Sequence, residues 1–233
     1  MSEAVVVALH RFPVKSVLGE ALDVVELDER GVVGDRAWAV VNEVGKIGSG
    51  KVTRRFDTVP GLLMLRARRA ADGVRVTLPT GESWPAADPA AGRAVSAFLG
   101  QSVTLARESD VSHFDDGPVS IVNLASVRAL AAEVGADVDE SRFRANVHVE
   151  GLAAFAEESL VGHEIRLGDV TLEVLMRSPR CVMINMETAD LPAQPGNLHV
   201  LGQLRDAYLG VIARVVTPGS LRVGDLVTSA PGT

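Results

Sequence analysis

The stretch EIRLGDVTLEVL, residues 164–175, decides the fold class of this chain. Its apolar and polar residues alternate on both sides of Gly168-Asp169, and such a pair between two short runs is typical of a tight hairpin turn. The pattern predicts two antiparallel strands, Glu164–Leu167 and Val170–Leu175, each with one face toward a core.

Short strands of the same kind recur along the sequence, with only a few helical segments between them. The further strands that we predict are Val5–Leu9, Ala21–Leu27, Arg36–Val41, a hairpin of Leu62–Arg68 and Val74–Leu78, Val147–Val149, Val211–Val216 and Leu221–Val227. The predicted helices are Pro89–Leu99 before Gly100, a helix from Leu124 to Val134 capped by Asn123, and Leu198–Tyr208. Many short strands favour an all-β or α+β barrel over a doubly wound sheet.

A polar and acidic segment, Glu108–Gly117, separates the β-rich first part of the chain from the rest. Such a change of composition is typical of a boundary between two structural units. We therefore predict one region over residues 1–107 and a second over residues 108–233.

The composition excludes several classes of protein. Hydrophobic residues make up 47% of the 233 residues, enough for a substantial core. No apolar run reaches the ~18 residues of a membrane-spanning helix, and the first residues lack the features of a secretory signal. We therefore expect a cytoplasmic protein with no membrane partner. The single cysteine excludes an intrachain disulfide and a zinc site of paired thiolates.

Charge is unevenly distributed along the chain. The formal net charge is −7, yet residues 1–75 carry a balance of +2 and residues 76–233 a balance of −9. A chain this acidic is not expected to bind nucleic acid. All three lysines lie in the first part, where basic groups are predicted to line a site for a small anion.

The segment GKIGSGK, residues 45–51, resembles a P-loop but departs from it at the next position. A P-loop continues with Ser or Thr, which holds magnesium, and then with a helix. Here Val52 follows, and Pro60 lies soon after it. We therefore interpret the segment as a flexible basic loop near an anion and not as a site of nucleotide hydrolysis.

Cys181 lies in the segment SPRCVM, residues 178–183, directly after Arg180. A neighbouring guanidinium favours the thiolate, which is the form that ligates soft metals or attacks sulfur. The alternative is a buried, inert cysteine that packs as a small hydrophobic residue. The local sequence leaves both interpretations open.

Six motifs, spread over residues 5 to 228, together resemble the MOSC family. In order they are RFPVKS (11–16), GVVGDRAW (31–38), SIVNLASV (120–127), RFRAN (142–146), RC (180–181) and GSLRVGD (219–225). The resemblance implies a β-rich α+β fold: a MOSC-type β-barrel with an N-terminal β-barrel-like half and a few short helices. In these terms residues 1–107 would be the MOSC N-terminal β-barrel-like region and residues 108–233 the MOSC domain.

The family also implies a molybdenum–molybdopterin cofactor held between the barrel parts, with Cys181 as the metal ligand and the catalytic residue. The side chains that the resemblance assigns to cofactor binding are Lys15, Ser16, Arg36, Ser120, Asn123, Arg142, Arg144, Asn146 and Arg180. Cationic groups among them suit a phosphate, and hydroxyl and amide groups suit a pterin. For Arg142 a structural ion pair with Asp139 or Glu140 is an equal alternative.

The resemblance implies a molybdenum-dependent reductase of N-hydroxylated or similar N-oxygenated small molecules, because the family includes the mitochondrial amidoxime-reducing component and related bacterial proteins. Electrons would come from a separate electron-transfer protein. A rival interpretation is a sulfur carrier or cofactor-delivery protein, in which a sulfur donor loads Cys181 with a persulfide. A third is a MOSC binding module without cofactor. No pyridoxal phosphate is expected, because the desulfurase domain of the sulfurase is missing from the 233 residues.

The sequence departs from the family pattern at Ala145, where proline is frequent, and after Cys181. These departures concern the substrate side of the predicted pocket. They leave the metal ligand in place. No acid–base residue is assigned, and His113, Asp115 and Asp116, which lie just before the second region, are candidates for that role.

Overall fold

Short strands form most of the regular structure in this computed structural model, which describes residues 4–229. The strands of the first region are β1 (Ala4–Arg11), β2 (Val14–Lys15), β3 (Glu20–Leu22), β4 (Val24–Asp28), β5 (Gly31–Val32), β6 (Trp38–Asn42), β7 (Ile47–Ser49), β8 (Phe56–Thr58), β9 (Arg66–Ala70), β10 (Gly73–Thr77), β11 (Ser83–Pro85) and β12 (Val103–Arg107). Those of the second are β13 (Val119–Asn123), β14 (Val147–Glu150), β15 (Glu164–Leu167), β16 (Val170–Pro179), β17 (Tyr208–Thr217), β18 (Gly219–Arg222) and β19 (Leu226–Ser229).

The helices are few and short, as the sequence predicts. The α-helices are α1 (Pro89–Leu99), α2 (Leu124–Val134) and α3 (Asn197–Arg205), and the 3-10 helices are Leu62–Met64, Glu140–Phe143, Ala156–Leu160 and Val182–Asn185. The predicted N-cap is confirmed, because Asn123 Oδ1 accepts from the Ala125 amide at 3.2 Å. Asp88 caps α1 in the same way, with its Oδ1 accepting from the Ala90 amide at 2.8 Å. Among the described residues no helix is both long and apolar enough to cross a membrane.

Seven strands close into a barrel. Their order is β14-β13-β17-β16-β15-β19-β1, and the ring closes because β1 also pairs with β14. The predicted hairpin lies in this barrel as β15 and β16, with Leu167 opposite Val170. Alternate residues of these strands face inward, and the central ones, such as Leu167, Leu172 and Val174, are fully buried.

A second, smaller β structure forms from the first region. The sheet β12-β6-β7-β8, with β2 beside β6, packs with the three-stranded sheet β11-β10-β9 around a core that includes Val14, Val40 and Leu65. The predicted hairpin is confirmed as β9 and β10. Helix α1 packs against β12 and ends at Gly100, whose φ of 66° is a conformation that glycine tolerates best.

Strands from the two sequence regions pair with one another in the same sheets. β1 belongs to the barrel, and β4 pairs with β18 from the end of the chain in the sheet β18-β4-β5. The side chains of Val6, Leu9 and Val25 therefore lie in the same core cluster as the barrel strands. The predicted boundary at residue 107/108 therefore stays a prediction, and two of the sheets contain strands from both sides of it.

Several predicted elements differ from the structure at their ends. Ala21–Leu27 is broken at Asp23, and Leu221–Val227 is broken by a turn in which Gly224 has a φ of 97°. Residues 62–64 are helical, although the sequence predicts a strand there. Arg36 lies in a turn before β6, and Tyr208 begins a strand although we predict it at a helix end. These are places where tertiary pairing overrides a weak local pattern.

Candidate functional site

A cavity of about 340 Å³ lies where the barrel meets the N-terminal sheet. Six cationic side chains and two carboxylates line it, so it is strongly positive in a chain whose net charge is −7. These charged residues are Lys15, Arg36, Lys51, Arg142, Arg144 and Arg180, with Asp115 and Asp116. Ser16, Ser120, Ser178 and Cys181 also face this cavity, together with apolar groups such as Met183 and Ile212.

Three of the lining residues have a strained backbone. Ser16, Arg36 and Arg144 have φ values of 62°, 48° and 51°, in the left-handed region that residues with a Cβ rarely adopt. Such conformations persist only where the surrounding structure holds them, and they are concentrated at functional sites. Here they bring a hydroxyl and two guanidinium groups to one cavity.

Lys15 is a buried cation with a single carboxylate partner. It is only 5% exposed, and its Nζ donates to Asp115 Oδ2. Burial lowers the pKa of Lys15 to about 8, although Asp115 opposes the shift. Lys51 Nζ lies 2.9 Å from the other oxygen of Asp115. Burial opposes the ionisation of Asp115, but the two lysines outweigh it and hold the pKa of that carboxyl at about 2.

A hydrogen-bonded network fixes Arg36 and Ser120. Arg36 donates to the buried carboxylate of Asp35, to Asn146 Oδ1 at 3.2 Å and to the Arg144 carbonyl at 3.0 Å. Asn146 Oδ1 also accepts from the Ser120 hydroxyl at 2.9 Å. Asn146 is therefore a positioning residue: it does not line the cavity, but it holds two groups that do. Asp35 also accepts from the Phe12 amide at 2.7 Å.

Arg142 and Arg180 mainly hold loops. Arg180 donates to the carbonyl oxygens of Leu209 and Phe143, and Arg142 donates to those of Met186 and Pro192. Within residues 4–229 Arg142 forms no ion pair, so the alternative of a pair with Asp139 or Glu140 is wrong. Both guanidinium groups nevertheless face the cavity and contribute charge to it.

The reactive groups of the cavity are a thiol and a free hydroxyl. Cys181 is half-buried and precedes the 3-10 helix Val182–Asn185. Burial lowers the pKa of Arg180 to about 10 and that of Arg144 to about 9, and Cys181 is among the groups that oppose both shifts, so the sulfur lies near these cations. Ser16 is 2% exposed and its Oγ has no hydrogen-bond partner. A buried hydroxyl without a partner indicates a missing ligand or water.

Two residues of the predicted set lie elsewhere. Asn146 is the positioning residue described above. Asn123 is fully buried and its side chain is fully used, because Nδ2 donates to the Ala153 carbonyl at 2.8 Å and to Glu157 at 3.1 Å. His113 does not line the cavity either, and its Nδ1 lies 3.2 Å from the Arg36 carbonyl oxygen.

The prediction omitted Lys51 from the site residues. The signal was present, because Lys51 ends the basic loop 45–51 that we expected near an anion. The bridging role of Asp115 between two lysines had no such signal in the sequence. It depends on the approach of segments about a hundred positions apart.

The fold and the cavity together define a closed β-barrel protein with a cationic pocket that contains one thiol. The family model described as the MOSC domain matches residues 108–228, and the MOSC N-terminal beta barrel domain model matches residues 3–115. The chain belongs to the MOSC family.

Curated relatives match over different lengths. A molybdenum cofactor sulfurase of Caenorhabditis briggsae is 27% identical over 225 residues, which cover 86% of this chain and 32% of the relative. The mitochondrial amidoxime reducing component 2 of Bos taurus is 30% identical over 84 residues, 36% of this chain and 24% of the relative. The chain thus spans about a third or less of the length of these relatives.

A solved structure supports the fold. The YuaD protein of Bacillus subtilis aligns over 97% of both chains with a TM-score of 0.52 and 16% sequence identity. At this identity the likeness concerns the fold alone.

Proposed function

We propose that the cavity binds a molybdenum–molybdopterin cofactor, with the Sγ atom of Cys181 as the protein ligand to the metal. One observation carries the proposal: the cations, the partnerless Ser16 hydroxyl and the thiol converge in a single cavity. A group that combines a phosphate, a polar ring system and a soft metal needs these three kinds of side chain. The residues present therefore fit this cofactor.

The phosphate would be held by Lys15, Ser16, Arg36 and Arg144. Lys15 and the two arginines offer charge-assisted hydrogen bonds, and the Ser16 hydroxyl gains the partner that it lacks. Ser120 would bond the polar ring system and Asn146 would keep Ser120 in place. Arg142 and Arg180 would supply charge and fix the loops around Cys181.

The proposed activity is the reduction of N-hydroxylated or similar N-oxygenated small molecules. When bound, the molybdenum centre supplies two-electron chemistry, and loss of a hydroxyl oxygen as water consumes two electrons and two protons. A separate electron-transfer protein would provide the electrons. At neutral pH Lys15 Nζ holds a proton and Asp115 is ionised, so of this pair only the lysine has a proton to give. The likeness to amidoxime-reducing components supports this substrate class.

Metal and pterin content test the proposal without any activity assay. The chain is expressed with molybdate in a host that makes the cofactor, as wild type, Cys181→Ser, Lys15→Met and Lys46→Met. We expect one equivalent of metal in wild type, loss of most metal in Cys181→Ser, and loss of pterin as well in Lys15→Met. Lys46 donates to the Thr53 carbonyl outside the cavity, so Lys46→Met is the matched control and should load like wild type. Equal metal in Cys181→Ser and wild type would contradict the coordination by Cys181.

A sulfur carrier is the second candidate, and two observations favour it. Cys181 is not closed off in the core, and the relatives that match most of this chain are molybdenum cofactor sulfurases. In this case a separate sulfur donor would load Cys181 with a persulfide. Intact-mass analysis would then show one added sulfur atom on wild type, none on Cys181→Ser, and no molybdenum on either. A protein with neither metal nor added sulfur would be a binding module without cofactor.

A further inference from the structure

A second cavity of about 170 Å³ lies next to the first. The two cavities share Arg142, Arg144 and Met183 as lining residues, so these side chains separate them. Most of the wall is apolar and includes Phe12, Leu18, Leu63 and Ala145. Cys181 and Lys15 do not line this second cavity.

Polar atoms without partners gather at this cavity. His148 is 1% exposed, and its Nε2 has no hydrogen-bond partner. The Nδ1 atom of His10 and the Nε atom of Arg142 also lack partners, and all three residues line the cavity. Buried polar groups are bonded in the great majority of cases, so three exceptions at one place require an explanation. A bound molecule with polar atoms would supply it.

The two histidines are neutral. Their ring centroids are 4.7 Å apart, and burial lowers the pKa of His148 to about 3 and also lowers the pKa of His10. The charged groups that reach His148 are those of Asp139 and Arg180, which oppose each other, and Glu140 reaches His10. A neutral imidazole has one donor and one acceptor nitrogen. The pair can therefore accept a hydrogen bond from a ligand as well as donate one.

The wall carries both signs of charge, because Glu20 and Asp190 line it together with Arg66, Arg142 and Arg144. Arg142 donates through its terminal nitrogens to the carbonyl oxygens of Met186 and Pro192, and Arg144 donates to that of Val17. Bidentate recognition of a carboxylate needs two parallel donors from one guanidinium. Both terminal nitrogens of Arg142 are already engaged, and its Nε is the nitrogen that has no acceptor.

We propose that the second cavity is a binding site for a small, uncharged, single-ring molecule that carries both a hydrogen-bond donor and an acceptor. The donor would bond an imidazole nitrogen of His148 or His10, and the acceptor would bond Arg142 Nε. The size agrees, because an apolar cavity of roughly 150 Å³ holds one benzene molecule. This inference does not depend on the proposed function of the Cys181 cavity.

The cavity reaches the protein surface beside an exposed ion pair. Arg66 and Asp190 both line the cavity and form an ion pair, with side chains that are 47% and 55% exposed. Exposed ion pairs contribute little stability, so this contact opens easily. A small ligand can then enter without rearrangement of the core.

Benzamide, an uncharged ring with an amide, tests the proposal on the full chain by ligand-observed NMR titration. Toluene is the matched probe without polar atoms, and benzoate is the charged one. Benzamide should bind wild type saturably and more tightly than benzoate. His148→Leu should weaken benzamide about fivefold, the effect of one hydrogen bond, and leave toluene unchanged. Lys15→Met, which alters only the first cavity, should leave benzamide binding unchanged.

Ala21→Trp provides a second variant, because Ala21 is exposed and lines the cavity at its edge. The indole should block the binding of both benzamide and toluene, and a thermal melt checks that the fold is intact. Three results would overturn the proposal. The first is a lack of saturable benzamide binding to wild type, which would mean that water alone fills the cavity. The second is a preference for benzoate over benzamide. The third is loss of benzamide binding in Lys15→Met.

Discussion

At the residue scale, the cavity of the MOSC fold contains its own counterion. Asp115 joins Lys15 and Lys51, the two lysines that an incoming anion would also contact. A buried ammonium without a partner is costly, and this carboxylate reduces that cost in the free protein. An anionic ligand must therefore compete with Asp115 for the same cations.

The protonation of Lys15 should control anion affinity. Its pKa of about 8 means that it is charged at pH 7 and neutral at pH 9, while Asp115 stays ionised throughout. We therefore expect the affinity for sulfate to fall about tenfold from pH 7 to pH 9, since at the higher pH Lys15 must take up a proton for each anion that binds. Calorimetric titration measures this fall, in a Cys181→Ser background that contains no thiol.

Two variants give the comparison for this prediction. Lys15→Met should bind sulfate more weakly than wild type at pH 7. Its affinity for sulfate should also fall much less between pH 7 and pH 9. Lys46→Met should retain the slope, because Lys46 lies outside the cavity. A slope that persists in Lys15→Met would show that another group titrates.

At the element scale, Asn123 joins strand β13, helix α2 and the 3-10 helix that contains Glu157. Its Oδ1 caps α2, and its Nδ2 donates to Ala153 and to the buried carboxylate of Glu157. Burial raises the pKa of Glu157, and the hydrogen bonds from Ser126 and Asn123 oppose that rise. Asn123 thus has a structural role.

Asn123→Ala should lower the free energy of unfolding by about 2–3 kcal/mol, because it removes a cap and leaves buried acceptors without a donor. Urea denaturation measures the change. Asp88→Ala is the matched control: it removes a cap from α1 at an exposed position and should cost about 1 kcal/mol. If Asn123→Ala lowers molybdenum loading without loss of stability, Asn123 binds the cofactor as the family resemblance implies.

Local patterns predicted those elements that depend on local physics. The hairpin of β15 and β16 follows from alternation and a Gly-Asp turn, and helix α1 follows from Pro89 at its start and Gly100 at its end. The left-handed conformations of Ser16 and Arg36 could not be predicted in this way. Nothing in a serine or an arginine signals a positive φ, and only tertiary contacts impose it.

The sequence could predict which residues belong to the site, but it could not predict how they are arranged. Motif resemblance identified Lys15, Arg144 and Cys181, which do meet in one cavity. It could not separate residues that line the cavity from those that position the lining residues. Asn146, for example, does not line the cavity but accepts a hydrogen bond from Ser120, which does. The second cavity at His148 had no sequence signal, since a lone histidine is usually a satisfied core residue.

At the scale of the whole molecule, the barrel needs a strand from the beginning of the chain. β1 lies between β14 and β19, and it is the strand that closes the ring. Val6 and Leu9 of this strand are almost completely buried in the barrel core. Because the cavity lies where the barrel meets the N-terminal sheet, both regions are needed to build it.

We therefore predict that residues 108–233 alone do not form the barrel. Without β1, the edges of β14 and β19 are unpaired, and the core loses the side chains that β1 and β4 contribute. The fragment should give poorly dispersed amide NMR spectra and no cooperative thermal transition. The control is the full chain with a protease site inserted after Asp110, in the exposed segment 109–111. This chain is cut at that site after it has folded. The cut chain should stay folded, because all strands are present and only the connection is lost. A well-dispersed spectrum from the fragment alone would show instead that the second region folds without β1, and that the strand is an addition to a complete barrel.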